Sequence, residues 1–307
     1  AWSSAASDVY KRQLLFLFVS CYHSENSKFT RMFIEKNSGI LKILKNNKTQ
    51  IKLTVIDKNK EFDEYEYNVD SNKYFYPAST VKLPIALFAI EKLNENKYLS
   101  IDTPFMLEDD TLKTTMRREL EKIFVLSDNQ ANNRLFEFLG QDYINQKFIS
   151  KGLNESRIFH RLSTKNSSNL NGKRVDFFLN DSIISFQNKN TAPAKLNLKE
   201  VKKGVGYINH TKNLIKEPMN FSEKNFISIN DLHKIIKILF FSDKFEESRR
   251  FNLTQIQKDL VFEYMSGYPK EFGYDENDYP YYFNKFFIYG DKELSLIHIS
   301  EPTRPLS

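Results

Sequence analysis

Ser79 and Lys82, three residues apart in Tyr76-Pro77-Ala78-Ser79-Thr80-Val81-Lys82-Leu83-Pro84, are the pair in this chain best suited to covalent chemistry. A serine hydroxyl is a weak nucleophile at neutral pH and needs a proton acceptor within hydrogen-bond reach. The apolar run that follows, as far as Asn94, has helical spacing. Residues three apart share a helix face, so the Lys82 amine would come up beside the Ser79 hydroxyl, and burial would lower its pKa toward working pH. No other serine in the chain has a lysine three residues later. The alternative is a serine that does no more than cap a helix.

A second polar cluster, Ser127-Asp128-Asn129, sits between two stretches of helical spacing, Thr115 to Leu126 and Asn129 to Leu139. Capping alone would account for it, since all three residue types favour that position. Taken in order, however, Ser-x-x-Lys followed by Ser-Asp-Asn resembles the pattern of class A β-lactamases and penicillin-binding proteins. The resemblance is carried by Tyr76 to Leu87 and Val125 to Gly140, and with the strands around them extends over about residues 40 to 290. It implies a serine hydrolase in which Ser79 is the nucleophile and Lys82 its base. Ser127 would relay a proton to the leaving nitrogen, and Asn129 would hold Lys82 and the substrate amide. The substrate would be a small β-lactam or a peptidoglycan-like peptide, and no cofactor is needed.

Two departures bear on that reading. Arg161-Leu162 follows at about the place where class A enzymes open an active-site loop, and that loop supplies a glutamate for deacylation. Here Thr164 to Asn169 contains no acid, and the nearest candidates are Glu155 and Asp176. A base beside the attacking water is worth about 10²- to 10⁴-fold, so the acyl-enzyme would be long-lived without one. A penicillin-binding, peptidase or esterase role is therefore open beside β-lactamase activity. The family's Lys-Ser/Thr-Gly motif does not occur. The nearest string, Lys202-Lys203-Gly204, comes too early in the chain.

The elements that would position these residues read as α+β. Gln50 to Asp57 alternates polar and apolar side chains and a charged turn leads to Glu64 to Val69, the pattern of an antiparallel hairpin. Helical spacing recurs over Ser79–Asn94, 115–126, 129–139, 229–241 and 253–266, whereas 151–223 is polar with weak periodicity. The resemblance implies an antiparallel sheet of N- and C-terminal strands with an inserted helical subdomain. Phe286 to Gly290 reads as one late strand.

Composition suits one folded domain, here bounded at 28–293: of 307 residues, 40% are hydrophobic, with 27 Phe and 16 Tyr. The net charge of +6 is spread over Lys-rich segments such as Lys42 to Lys60, a solvated-face pattern that argues against nucleic-acid binding. His23, His160, His210, His233 and His298 show no metal-ligand spacing. His160 reads as a structural residue that positions the loop. A single cysteine, Cys21, follows the apolar run Leu14 to Ser20. Residues 14–21 resemble the end of a lipoprotein signal, which would tether an exported, monomeric domain to a membrane facing the periplasm; the alternative is an ordinary buried cysteine. Ala1 to Gln13 and Leu294 to Ser307 do not share the composition of the rest and resemble translated adapter sequence, the alternative being natural tails. On the adapter reading, the chain stops before the last strands of its sheet.

Overall fold

The computed structural model describes residues 38–59, 61–209, 213–275 and 277. The expectations for residues 1–13, 14–21 with Cys21, Phe286 to Gly290 and 294–307 lie outside them. The chain divides into two compact units, residues 1–71 and 72–307.

In the first unit, helix α1 (Ser38–Asn46) precedes strands β1 (Ile51–Ile56) and β2 (Phe62–Tyr67), paired antiparallel from Ile51 opposite Tyr67 to Ile56 opposite Phe62. Alternation drives this pairing, and Tyr65 is buried against Leu44, Ile51, Leu53 and Tyr67. The Asp57 carboxylate closes the turn by accepting the N–H groups of Asn59 and Glu61, each at 2.8 Å. This is the hairpin expected from the sequence.

The second unit is built around helix α2 (Lys82–Asn94), entered through a 3₁₀ turn at Ala78–Val81. Its residues from Leu83 to Glu91 are all buried, so it is covered on every side and lies in the middle of the core. After it come β3 (Pro104–Leu107), β4 (Thr114–Thr115), α3 (Met116–Leu126), α4 (Asn129–Leu139), α5 (Gln141–Ser150), β5 (Val175–Phe178) and β6 (Ile183–Phe186). The four strands form one antiparallel sheet in the order β4-β3-β5-β6. Phe105 stacks on Phe177 at 5.1 Å between ring centres, and Phe138 of α4 meets Phe177 and Phe186 edge-on, also at 5.1 Å, which fixes α4 against the sheet. The pairs β7 (Lys202–Lys203) with β10 (Met219–Asn220), and β8 (Tyr207–Ile208) with β9 (Leu214–Ile215), complete the strands among the described residues. Helices α6 (Ile229–Phe240) and α7 (Gln255–Ser266) follow.

Mixed helices and antiparallel sheets thus agree with the α+β reading at that level, and the differences have local causes. The expected helices 115–126, 229–241 and 253–266 ran into their caps. Thr115 accepts from the Arg118 N–H, Thr254 caps α7 in a reciprocal box with Gln257, and Phe241 is the C-terminal cap of α6. Helix α5 was not anticipated, because Gly140, with φ of +78°, reads as the end of a helix. It also opens the next one, and Ile144 and Phe148, four apart, are buried. The polar stretch 151–223 holds six strands of two to four residues each, too short for alternation to show. Among the described residues the N-terminal hairpin is a two-stranded sheet.

Candidate active site

Ser79 sits where backbone geometry is costly. Pro77 opens the 3₁₀ turn, Ala78 adopts φ of +44°, and the Thr80 hydroxyl donates to the Pro77 carbonyl at 2.5 Å. A non-glycine residue in the left-handed region is strained and persists only where its surroundings hold it. Neither the 3₁₀ turn nor α2 has a side-chain cap, so the Ser79 hydroxyl is not spent on capping. It accepts instead from Lys82 Nζ at 3.1 Å, the geometry expected from three-residue helical spacing.

Ser127 closes the third corner. It ends α3 in the left-handed conformation (φ 57°, ψ 39°), which lets the chain reverse into α4 within two residues. Its hydroxyl donates to Ser79 Oγ at 2.9 Å and accepts from Lys82 Nζ at 2.9 Å, while its carbonyl also accepts from Lys82. Capping and chemistry are divided within one turn. Asp128 is the true cap of α4, its Oδ1 accepting the Ala131 N–H at 2.7 Å, and Ser127 is left for the site.

Lys82 is 3% exposed, and burial lowers its pKa from 10.5 to about 8, partly offset by the charge of Asp128. Its three donors meet two hydroxyls and a carbonyl, with no carboxylate in contact. Ser79 is only partly covered, so a substrate carbonyl can reach the nucleophile while the amine stays in a dry setting.

Asn129 departs from expectation. Its amide donates to Ser163 Oγ at 3.0 Å, and it makes no bond to Lys82. As the first residue of α4, it turns toward the loop that follows Arg161. Sequence reading missed what holds that loop. Asn133, one turn on, accepts the Leu162 N–H and donates to the Leu162 carbonyl, both at 2.8 Å. Glu137, the next turn, takes a buried two-point contact from Arg161, with Nη2 at 3.0 Å from Oε2, and accepts the Lys173 N–H at 2.9 Å. The available signal was one face of α4 carrying Asn129, Asn133 and an acid within the apolar run Leu135 to Leu139. His160 is bracketed by Asn225, which accepts its N–H at 2.9 Å and donates to its carbonyl at 3.0 Å; burial lowers the pKa of the ring.

The two acids offered by the sequence on either side of the loop, Glu155 and Asp176, are engaged elsewhere. Glu155 accepts from Ser228 at 2.8 Å, and Asp176 from Ser185 at 2.6 Å and Arg174 at 3.0 Å. Lys202 and Lys203 form β7 against β10, with Lys203 3.4 Å from Glu200, and neither contacts the three site side chains.

No curated protein and no solved structure matches this chain. A family model described as the beta-lactamase enzyme family matches residues 37–197, just over half of the chain and a span that contains Ser79, Lys82, Ser127, Asn129 and Arg161. Sequence order, the contacts that bring Ser79, Lys82 and Ser127 together and the family match converge: the chain belongs to the beta-lactamase enzyme family.

Proposed function

We propose that this protein is a serine hydrolase that forms an acyl-enzyme on Ser79 with a β-lactam or related amide. The observation that carries the proposal is the closed triangle of Ser79 Oγ, Lys82 Nζ and Ser127 Oγ, with sides of 3.1, 2.9 and 2.9 Å. With its pKa near 8, Lys82 is neutral in about a tenth of molecules at pH 7, enough to serve as a base. Neutral Lys82 takes the Ser79 proton as Oγ bonds to the carbonyl carbon. As the C–N bond breaks, the Ser127 hydroxyl gives its proton to the leaving nitrogen and regains one from the Lys82 ammonium. Water then cleaves the ester, releasing the acid and restoring Ser79. The Asn129 carboxamide oxygen accepts from no described residue and is available to a substrate amide.

A second reading, slow deacylation of the penicillin-binding or peptidase kind, is favoured by one observation. Among the described residues no carboxylate touches the triangle. Labelling with a fluorescent penicillin, with and without Ser79→Ala, tests the first step. Labelling that survives Ser79→Ala sinks the assignment. Turnover of the chromogenic cephalosporin nitrocefin separates the readings, since steady colour release means hydrolysis and a persistent label means a stalled acyl-enzyme.

A further inference from the structure

Tyr76 precedes Ser79 by three residues, so its Cα lies within about 11 Å of that of the nucleophile by chain reach alone. It is 50% exposed, although aromatic. Its mounting is rigid. Tyr74 is fully buried, its hydroxyl donates to the Asn225 carbonyl at 3.3 Å, and its ring packs on Phe221 at 5.1 Å and Phe226 at 5.7 Å. Phe221 is fixed in turn by its N–H to the Val201 carbonyl at 2.8 Å, and Tyr76 meets it edge-on at 5.7 Å. Tyr74 and Tyr76 therefore share Phe221, one buried beneath it and one exposed beside it. Phe75, between them and 42% exposed, makes no ring contact among the described residues. Phe221 lies beyond the matched span 37–197, so half of this arrangement is not part of what the family match covers.

A half-exposed ring such as Tyr76, backed by a partly exposed one such as Phe221, offers apolar area and a quadrupole to a flat partner at little entropic cost. We propose that Tyr76 and Phe221 form a subsite for a flat apolar group of the substrate, carried close to the carbonyl that Ser79 attacks. Its role in turnover rests on the acyl-enzyme reading above. Its existence as a binding site does not.

The test uses the full chain carrying Ser79→Ala, so that binding is read without chemistry. Phenylacetylglycine and acetylglycine, which differ by one phenyl ring, are titrated by NMR. The phenyl compound binds at least tenfold more tightly, as expected for one aromatic contact plus buried area. Tyr76→Ala and Phe221→Leu each remove most of that margin, Tyr76→Phe keeps it, and Phe75→Ala leaves it unchanged. Equal affinity for the two compounds, or equal loss with Phe75→Ala, overturns the proposal. With Ser79 intact, Tyr76→Ala slows acylation by benzylpenicillin about tenfold or more and by 6-aminopenicillanic acid less than about threefold. If Ser79 takes no label while the phenyl preference persists, the acyl-enzyme reading fails and the subsite stands.

Discussion

Helix α2 carries two lysines whose pKa burial lowers to about 8, Lys82 at its first residue and Lys92 near its end, and they stand in opposite chemical surroundings. Lys82 faces two hydroxyls that can give up a proton. Lys92 faces the carbonyls of Phe138 and Leu139, at 2.6 and 2.9 Å, and the rings of Phe138, Tyr143 and Phe186 at 5.0, 4.9 and 5.5 Å, groups that only accept. It closes the C-terminal end of α4, where unpaired carbonyls collect. Lys151, buried like Lys82, has its own carboxylate, Glu91, at 2.8 Å, with both side chains under 5% exposed. A perturbed lysine does not by itself mark a site. The proton inventory of its partners does.

The strongest test of this contrast is catalytic. Lys82→Met lowers acylation of Ser79 by about 10²- to 10⁴-fold, whereas Lys92→Met changes it less than about threefold, both read as the rate of fluorescent penicillin labelling. Similar losses in the two variants would break the comparison. Next in size is Glu91→Ala, which strands Lys151 without a counter-ion and costs about 3–5 kcal/mol in urea unfolding. Stability also separates the first two lysines. The Lys82 pKa is lower folded than unfolded, so its charge is a burden on the fold that is full below pH 8 and gone above 10.5. Lys82→Met relieves it, leaves Ser79 and Ser127 hydrogen-bonded to each other and frees only the Ser127 carbonyl, so stability at pH 7 holds or rises by up to about 2 kcal/mol. Lys92→Met relieves a similar burden but leaves two carbonyls at the end of α4 without their donor, so its gain is smaller by about 1 kcal/mol. In the wild type and in Lys92→Met alike, the acylation rate climbs with pH to a plateau with a midpoint near 8; a flat profile would remove Lys82 as the base. The smallest effect expected is at Ala78, where glycine relieves the positive φ and adds about 0.5–1 kcal/mol.

The same contrast explains what could be read in advance. Lys82 was legible because its partner Ser79 is three residues away in the turn that leads into its helix, and Ser127 sits in a recognisable turn. The roles of Lys92 and Lys151 were not, since their partners lie 46 and 60 positions distant, and nothing local distinguishes them from solvated lysines. Asn129 shows the limit of a motif. Its place in Ser-Asp-Asn was clear, but its contact with Ser163 depends on a loop whose shape is set by Asn133 and Glu137, neither of them a motif residue. The hairpin β1–β2 and helix α4 were readable because alternation and helical spacing run through each of them without a break. The four-stranded sheet was not, because the sheet pairs β3 with β5 across about seventy residues of sequence, and each strand is too brief to announce itself.

Glu137 also does a job usually given to a covalent bond. By holding the Arg161 side chain and the Lys173 backbone at once, one carboxylate fastens the two ends of a loop. In a chain with a single cysteine no internal disulfide can do so. Closing a loop in this way restrains it in the folded state only, so it does not limit the unfolded chain as a disulfide would. The gain is indifference to redox conditions. The loop keeps its anchorage in reducing and oxidising surroundings alike.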